Sequence, residues 1–374
     1  MNDRLPAGSS PRTLITGGFG FLAAWIAAGL LRSGHHVVAV DNRKVAGSPL
    51  DLAGLTGDPH LTTVTADITR AGALDACGTA DYVVHAAALL GVDAVRSAPL
   101  ETLRVNIDGT TACLDYAGRQ PGLRRFVLLS TSEVYGADAR GAAESEWLAV
   151  RTDDPRWSYA VSKVTAESLT AAHGTENGLP YTLVRPFNVY GPLRGGSYAV
   201  GALARQAAAG DALTVHGDGR QRRAWCHAED FANGLIRTLD TGAAEGEAFN
   251  IGDDRCELTV AELAERIREE SGTGAPLVRA ERAGPDIRGR RPDIGKARAL
   301  LGYEPRRELP EGLRETVQWY AGGGGAWPLR LHRTDWPLAG TGTAVTPAGQ
   351  APAGQEPAGR APEGQPSPGL GAAR

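Results

Sequence analysis

Residues Leu14 to Leu31 form an 18-residue run without a charged side chain, divided by Gly17, Gly18, Gly20 and Gly29. Its length alone matches a membrane span. Yet the run opens with the strand-forming segment Thr13-Leu14-Ile15-Thr16, and glycines follow at once. Clustered glycines end a strand in a tight turn, and the apolar stretch after them reads as a helix over Gly20–Arg32. No second apolar run of this length supports a membrane reading. The expected element is therefore strand, turn, helix, in a chain that does not enter a membrane.

The same alternation continues. Short runs rich in Val, Ile and Leu mark further strands at Arg12–Thr16, His36–Val40, Leu61–Thr65, Asp81–His85, Arg125–Ser130 and Tyr181–Arg185. Helical stretches fall at Leu100–Arg119 and Trp157–His173. Continuously apolar strands separated by helices predict a parallel sheet covered on both faces, the doubly wound Rossmann class of α/β fold. After Pro186 the pattern loosens into Gly- and Arg-rich loops between helices at Ala228–Leu239 and Val260–Glu270, as in a smaller α/β substrate lobe. We expect a dinucleotide-binding domain over 1–185, with 226–252 returning to it, and a substrate lobe from 186–225 and 253–330. Prolines at 347, 352, 357 and 362 recur every five residues in a segment too poor in large apolar residues to build a core, so 331–374 reads as a disordered tail.

Composition narrows the class. A formal net charge of −4 lacks the basic footprint of a nucleic-acid binder. Four cysteines without a C-x-x-C pair suit free thiols in a reducing cytoplasm, with no metal site, and Met1–Pro11 lacks the apolar core of a secretion signal. Lys44, Lys163 and Lys296 are the only lysines among 39 basic residues, so each invites a reason for not being arginine.

The turn after the first strand, Thr16-Gly17-Gly18-Phe19-Gly20-Phe21-Leu22-Ala23, fits dinucleotide binding. Gly17 permits the tight turn, Gly20 lets the backbone approach a pyrophosphate, and the helix beginning at Phe21 and Leu22 offers N–H donors. Asp41, ending the second strand, can accept hydrogen bonds from the ribose hydroxyls of NAD and repel a 2′-phosphate. Arg43, beside Asn42, leaves NADP as the alternative. Asp67 and Ile68 follow the third strand where the adenine edge would lie, and Ala86 and Ala87 follow the fourth, leaving room for the dinucleotide.

Tyr159-x-x-x-Lys163 places a phenol and an ammonium one helical turn apart on one face. Such a cation, with the positive nicotinamide ring, should draw the phenol pKa towards neutrality and fit it for removing a hydroxyl proton. The fifth strand runs into Ser130-Thr131-Ser132-Glu133, polar groups for the same site.

Over about residues 12–322 the chain resembles the extended short-chain dehydrogenase/reductase family, in particular its nucleotide-sugar epimerases, dehydratases and decarboxylases. The resemblance rests on the glycine turn, His85–Ala88, Asn106–Thr110, Ser130–Gly136, Tyr159 and Lys163, Arg185–Pro192, Gly217–Arg223, Phe249–Gly252 and Arg290–Ile294. Ala23 departs from the glycine usual there. The resemblance implies NAD as cofactor and a nucleotide sugar, a UDP-sugar first, as substrate. Tyr159 would be the base, Lys163 would tune it and bind ribose, and Thr131 would hydrogen-bond the sugar 4-hydroxyl. Ser132, Asn188, Arg223 and Arg290 would contact diphosphate or sugar, and Val215 with His216 would lie near the nucleotide base. The helices Leu100–Arg119 and Trp157–His173 would pair two copies into a homodimer.

Within that group, Thr131-Ser132-Glu133 resembles uronate decarboxylases, and Ser132 stands where dehydratases typically carry Asp. Arg290 resembles the arginine that faces a C6 carboxylate, with Glu133 as proton relay. The expected reaction is decarboxylation of UDP-glucuronate to UDP-xylose or a UDP-4-keto-pentose. A 4,6-dehydratase or 4-epimerase is the alternative, and a catalytically silent NAD and nucleotide-sugar binding module is the more distant one.

Overall fold

The computed structural model describes residues 10–337 apart from 196–197 and 282–286. Seven strands form its central sheet: β1 (Arg12–Thr16), β2 (His36–Asp41), β3 (Leu61–Thr65), β4 (Tyr82–His85), β5 (Arg125–Leu129), β6 (Tyr181–Pro186) and β7 (Glu247–Ile251). Their spatial order is β7-β6-β5-β4-β1-β2-β3, and every pairing is parallel. The chain therefore builds outward from β1 to β3, then restarts at β4 on the other side of β1. Loops leaving the C-terminal ends of β1 and β4 diverge there, opening the crevice where doubly wound sheets bind ligands.

Side chains alternate across the strands into two buried layers. Ile15, Val84, Val127, Val184 and Phe249 face α1 (Phe21–Arg32) and a helix at Ala228–Asp240. Leu14, Val83, Phe126 and Leu128 face α2 (Pro99–Gly118) and α3 (Ser158–Asn177). Leu14–Leu31, the uncharged run, is thus cut into a strand and a helix, both buried in protein. Among the described residues no helix is long and apolar enough to cross a membrane. α3 runs one turn past the expected His173, carrying Gly174 inside the helix, and ends at Gly178 in a left-handed conformation.

The lobe contains a mixed four-stranded sheet in the order Glu257–Thr259, Arg222–Ala224, Gly289–Pro292, Asp138–Ala142. Asp138–Ala142 reaches it from the segment between β5 and α3, so the lobe takes a strand from the first half of the chain. A second apolar cluster, including Val215, Leu263, Ile267 and Leu313, underlies it.

The composition change at 331 is not where packing stops. Residues 327–337 lie along the outer face of the domain as a strap. The Trp327 amide donates to Leu52 O (2.7 Å), Arg333 is 3% exposed, and Trp336 is 6% exposed. A Cβ on Gly29 would come within 2.3 Å of the Trp336 ring, so this mid-helix glycine makes room for the strap. The expectation of disorder is corrected for 331–337, and 338–374 lies outside the described residues.

Candidate functional site

The cradle forms where β1 and β4 separate. Gly17 takes φ +65°, and a Cβ there would sit 2.7 Å from Ala87 Cα. The turn closes through Gly20 N to Gly17 O (3.0 Å) and is pinned to β4 by Ala86 N to Thr16 O (3.2 Å) and Ala87 N to Thr16 Oγ1 (3.3 Å). Gly20 caps α1 in an extended conformation, leaving the first-turn amides at Phe21 and Leu22 without intrahelical acceptors. Asp41, at the end of β2, accepts from Phe19 N (3.2 Å) and from Arg43 Nε and Nη2 (both 2.9 Å). Burial raises its carboxyl, but the Arg43 and Phe19 hydrogen bonds outweigh that and hold the pKa below the ordinary value. Asn42 and Arg43 are exposed. Asp67 accepts from Thr69, while Ile68 is buried under Gly109. A carboxylate at the end of β2, open amides at a helix start and glycines where backbones meet form a donor and acceptor set that fits a dinucleotide.

Arg43 belongs to Asp41 in this arrangement, which separates the two cofactor readings. Asp41→Ala removes the acceptor and frees the guanidinium. The expected result is roughly tenfold or greater loss of NAD affinity with a gain for NADP, since charge-assisted hydrogen bonds contribute about 1.5–3 kcal/mol. Dissociation constants for the two cofactors, measured by fluorescence titration, check it; an unchanged ratio would exclude Asp41 from ribose recognition.

Tyr159 and Lys163 lie in the first two turns of α3, as their spacing requires. Lys163 is 2% exposed and donates to Leu129 O at the end of β5 (2.7 Å). Burial lowers its pKa to about 8, against the pull of the Glu167 carboxylate. The protein groups alone move the Tyr159 pKa upward, whereas the expected drop includes the charge of the nicotinamide ring. Burial raises it, the Glu133 and Tyr198 charges add to that, and a Thr131 hydrogen bond and the Arg194 cation oppose. The ammonium donates to a backbone carbonyl, and burial is the largest influence on the phenol.

Thr131 and Glu133 sit on a tight turn, Ser132–Tyr135, after β5, where Thr131 Oγ1 accepts from Glu133 N (3.2 Å). Gly136 ends the turn at φ +86°; a Cβ would strike Ala149 O at 2.3 Å. Arg290, 3% exposed, lies beneath this turn, donating from Nη1 to Ser132 O and from Nη2 to Gly136 O (3.1 Å). Burial lowers its pKa to about 10, and the facing Glu133 opposes that. Arg156 Nη1 lies 3.9 Å from Glu133 Oε2, so two cations flank one carboxylate.

The other expected ligand contacts are distributed differently. Asn188, at φ +43°, spends its amide nitrogen on Ala224 O (2.9 Å) and Arg290 O (3.1 Å), tying two lobe strands together. Arg223 donates to Arg222 O (2.7 Å) and Ile287 O (2.9 Å). His216 is exposed at its strand end, and Val215 is buried in the lobe cluster, where it also lines a cavity with Leu258 and Ala261. Arg194 was not anticipated: its guanidinium lies 3.7 Å from the Tyr198 ring centroid and 5.0 Å from that of Phe21, between cradle and lobe. Also missed was a buried network of Ser130, Glu167, Arg185, Tyr135 and Asn250. Ser130, Tyr135, Arg185 and Asn250 fall within the motifs named above, and Glu167 lies one turn beyond Lys163.

Residues 13–252 match the model of the NAD dependent epimerase/dehydratase family. The chain is 33% identical over 319 residues to a UDP-N-acetyl-alpha-D-glucosaminuronate decarboxylase of Bacillus cytotoxicus, covering 83% of this chain and 97% of that protein. It is 33% identical over 329 residues to a dTDP-glucose 4,6-dehydratase of Streptomyces niveus, covering 85% and 96%. Among solved structures, UDP-glucuronic acid 4-epimerase from Bacillus cereus, in complex with UDP-glucuronic acid and NAD, superposes with a TM-score of 0.74 at 27% identity, covering 83% of this chain and 99% of that one.

Proposed function

Because the chain belongs to the NAD dependent epimerase/dehydratase family, whose members act on nucleotide sugars with NAD, we propose that its reaction is uronate decarboxylation, with UDP-glucuronate as substrate. The observation that carries this reading is Glu133 on the Thr131 turn, with Arg290 beneath it and Arg156 beside it. The Arg290 guanidinium is held by Ser132 O and Gly136 O and adds its charge from below, so the cation placed to meet and orient a second carboxylate, the C6 group of a uronate, is Arg156, whose buried Nη1 has no hydrogen-bond partner.

NAD, when bound, supplies the acceptor and later the donor of the hydride at C4. Gly17, Gly20, Phe21, Leu22, Asp41, Ala86 and Ala87 are the residues that would hold it. Tyr159 takes the proton of the C4 hydroxyl, and Thr131 orients that hydroxyl. Lys163 keeps a positive charge near the phenolate so formed. A C4 ketone makes the C6 carboxylate that of a β-keto acid. The C5–C6 bond then breaks, CO2 leaves, and its electron pair moves into the C4–C5 enolate. Glu133, a carboxylate beside Arg156, takes up a proton from water and relays it to C5, and Tyr159 returns its own to the C4 oxygen. A homodimer through α2 and α3 belongs to the same reading: the two helices pack side by side and leave Leu100 80% exposed. Sedimentation equilibrium reads the dimer directly.

Incubation with UDP-glucuronate and NAD, followed by CO2 capture and nucleotide chromatography, tests the chemistry. Release of CO2 with a UDP-pentose or its 4-keto form is expected. Water loss from dTDP-glucose, or inversion at C4 without CO2, in the absence of any decarboxylation, would replace this reading by the dehydratase or epimerase one. Binding of NAD and nucleotide sugar with no reaction would leave only the silent module.

A further inference from the structure

Glu167 follows Lys163 by one turn on α3 and is 5% exposed, a carboxylate in the interior of the domain. Arg185, at the end of β6, meets it with a two-pronged ion pair, Nε to Oε1 at 3.0 Å and Nη2 to Oε2 at 2.6 Å. One such pair would satisfy a purely structural demand. This carboxylate does more: it also accepts from Ser130 Oγ, the residue immediately before Thr131. Arg185 in turn donates from Nη1 to Tyr135 OH (2.7 Å), at the far end of the Thr131–Glu133 turn. Tyr135 OH donates to Asn250 Oδ1 (2.8 Å), and Asn250 Nδ2 donates to Ala142 O (2.9 Å) and Asp293 O (3.2 Å) in the lobe strand region. Both ends of the turn that carries Thr131 and Glu133 are thus bonded into one charged network whose acid shares a helix face with Lys163.

We propose that Glu167 is a positioning residue for the catalytic pair, its buried carboxylate holding the Lys163 ammonium charged and anchoring the Thr131–Glu133 turn through Ser130 and, by way of Arg185, Tyr135. The surroundings of Lys163 support this assignment. From α2 it is faced by Cys113, whose thiol burial pushes up to about 12; from β4 by His85, whose imidazole burial pushes down to about 3; and from β5 by the Leu129 carbonyl. At neutral pH those groups carry no charge. Glu167 is left as the anion that offsets the burial of the ammonium.

The inference rests on the proposed reading only in taking Tyr159 and Lys163 as the catalytic pair, and its test does not need the substrate to be known. The chain has three lysines, so full-length protein grown with ε-13C-lysine should give three resolvable signals, and Lys163→Met identifies the one that matters. In the unaltered protein that signal is expected to titrate near 8. In Glu167→Gln the midpoint should fall by about one pH unit, and Glu167→Asp should bring it back up. The alkaline limb of NADH formation on a nucleotide sugar should move with it, kcat falling roughly tenfold at pH 8 while KM for NAD changes little. Where Glu167→Gln leaves Arg185 unpaired and the chain does not fold, Glu167→Gln with Arg185→Met removes both partners and carries the same expectation. An unmoved Lys163 midpoint in a folded variant overturns the proposal, whatever the activity. A shifted midpoint in a chain that turns over no nucleotide sugar upholds it and overturns the proposed function instead.

Discussion

Tyr159→Phe is expected to lower turnover of the nucleotide sugar by about a thousandfold while leaving the fold and the affinity for NAD in place. The substitution deletes one oxygen and keeps the ring that packs in the first turn of α3. General acid–base catalysis contributes roughly 10²- to 10⁴-fold, and here one phenol is asked both to take the C4 proton and to return it, which puts the loss in the middle to upper part of that range. Burial and the neighbouring Glu133 charge raise its pKa. The phenol is therefore protonated at neutral pH in the resting site, and activity of the unaltered chain should climb with pH until Lys163, whose pKa is about 8, begins to lose its proton. Tyr159→Phe should be flat across that climb, its residual rate coming from positioning alone. Single-turnover NADH absorbance from pH 6 to 9, with circular dichroism as the control for folding, decides the matter. A variant that keeps a tenth of the activity would remove Tyr159 from the role of base.

The placement of Tyr159 beside Lys163 was legible in the chain because helical spacing is a local property. Tyr159 and Lys163 need only α3 to share a face, and Gly17, Asp41 and Ala87 need only strands followed by turns. The six expected strands of the sheet lie within a residue of where apolar runs placed them, because strands buried on both faces read as unbroken apolar segments. What long-range contact decides was less readable. The spacing of Tyr159 and Lys163 does not tell which way the ammonium turns, and it turns to Leu129 O. Arg290 and Asn188 were readable as polar groups in the right lobe, but not as residues bonded to the backbone of the Thr131 turn and to one another's strands. Val215 looked like a neighbour of His216; strand alternation puts the one into the core and the other at the surface. Arg156, Arg194 and Arg185 are three arginines in an arginine-rich chain, and only the fold distinguishes them from solvated surface charge.

The strap is the other place where composition misled, and it carries the second large effect: a chain cut after Arg330 should be far less stable than one cut after Pro337. Seven residues separate the two, and few of them are apolar, which is why the segment reads as tail. Two of them nonetheless fill buried sites. Arg333 meets Asp230 at 2.5 Å, with side-chain exposures of 2% and 1%, and its backbone amide donates to Glu229 Oε1 at 2.7 Å. Trp336 fills the notch over Gly29. Removing one member of a buried ion pair costs about 3–5 kcal/mol, because the abandoned carboxylate keeps its desolvation without its partner. Removing a buried tryptophan costs about 3–5 kcal/mol more. These do not simply add, since both lie on the helix Ala228–Asp240 and α1, but even one alone is a sizeable part of a total stability of about 5–15 kcal/mol. The shorter chain should melt roughly 10 °C or more below the longer one, or fail to fold. Arg333→Met within the longer chain should show part of the loss, and Arg333→Met with Asp230→Asn should regain some of it by removing both charges together while keeping an acceptor for the Arg306 and Arg307 amides. Calorimetry on the four proteins separates these terms. Equal melting temperatures for the two truncations would mean that the strap rests on the domain without supporting it, and the reading of Gly29 as a notch for Trp336 would fall with that result.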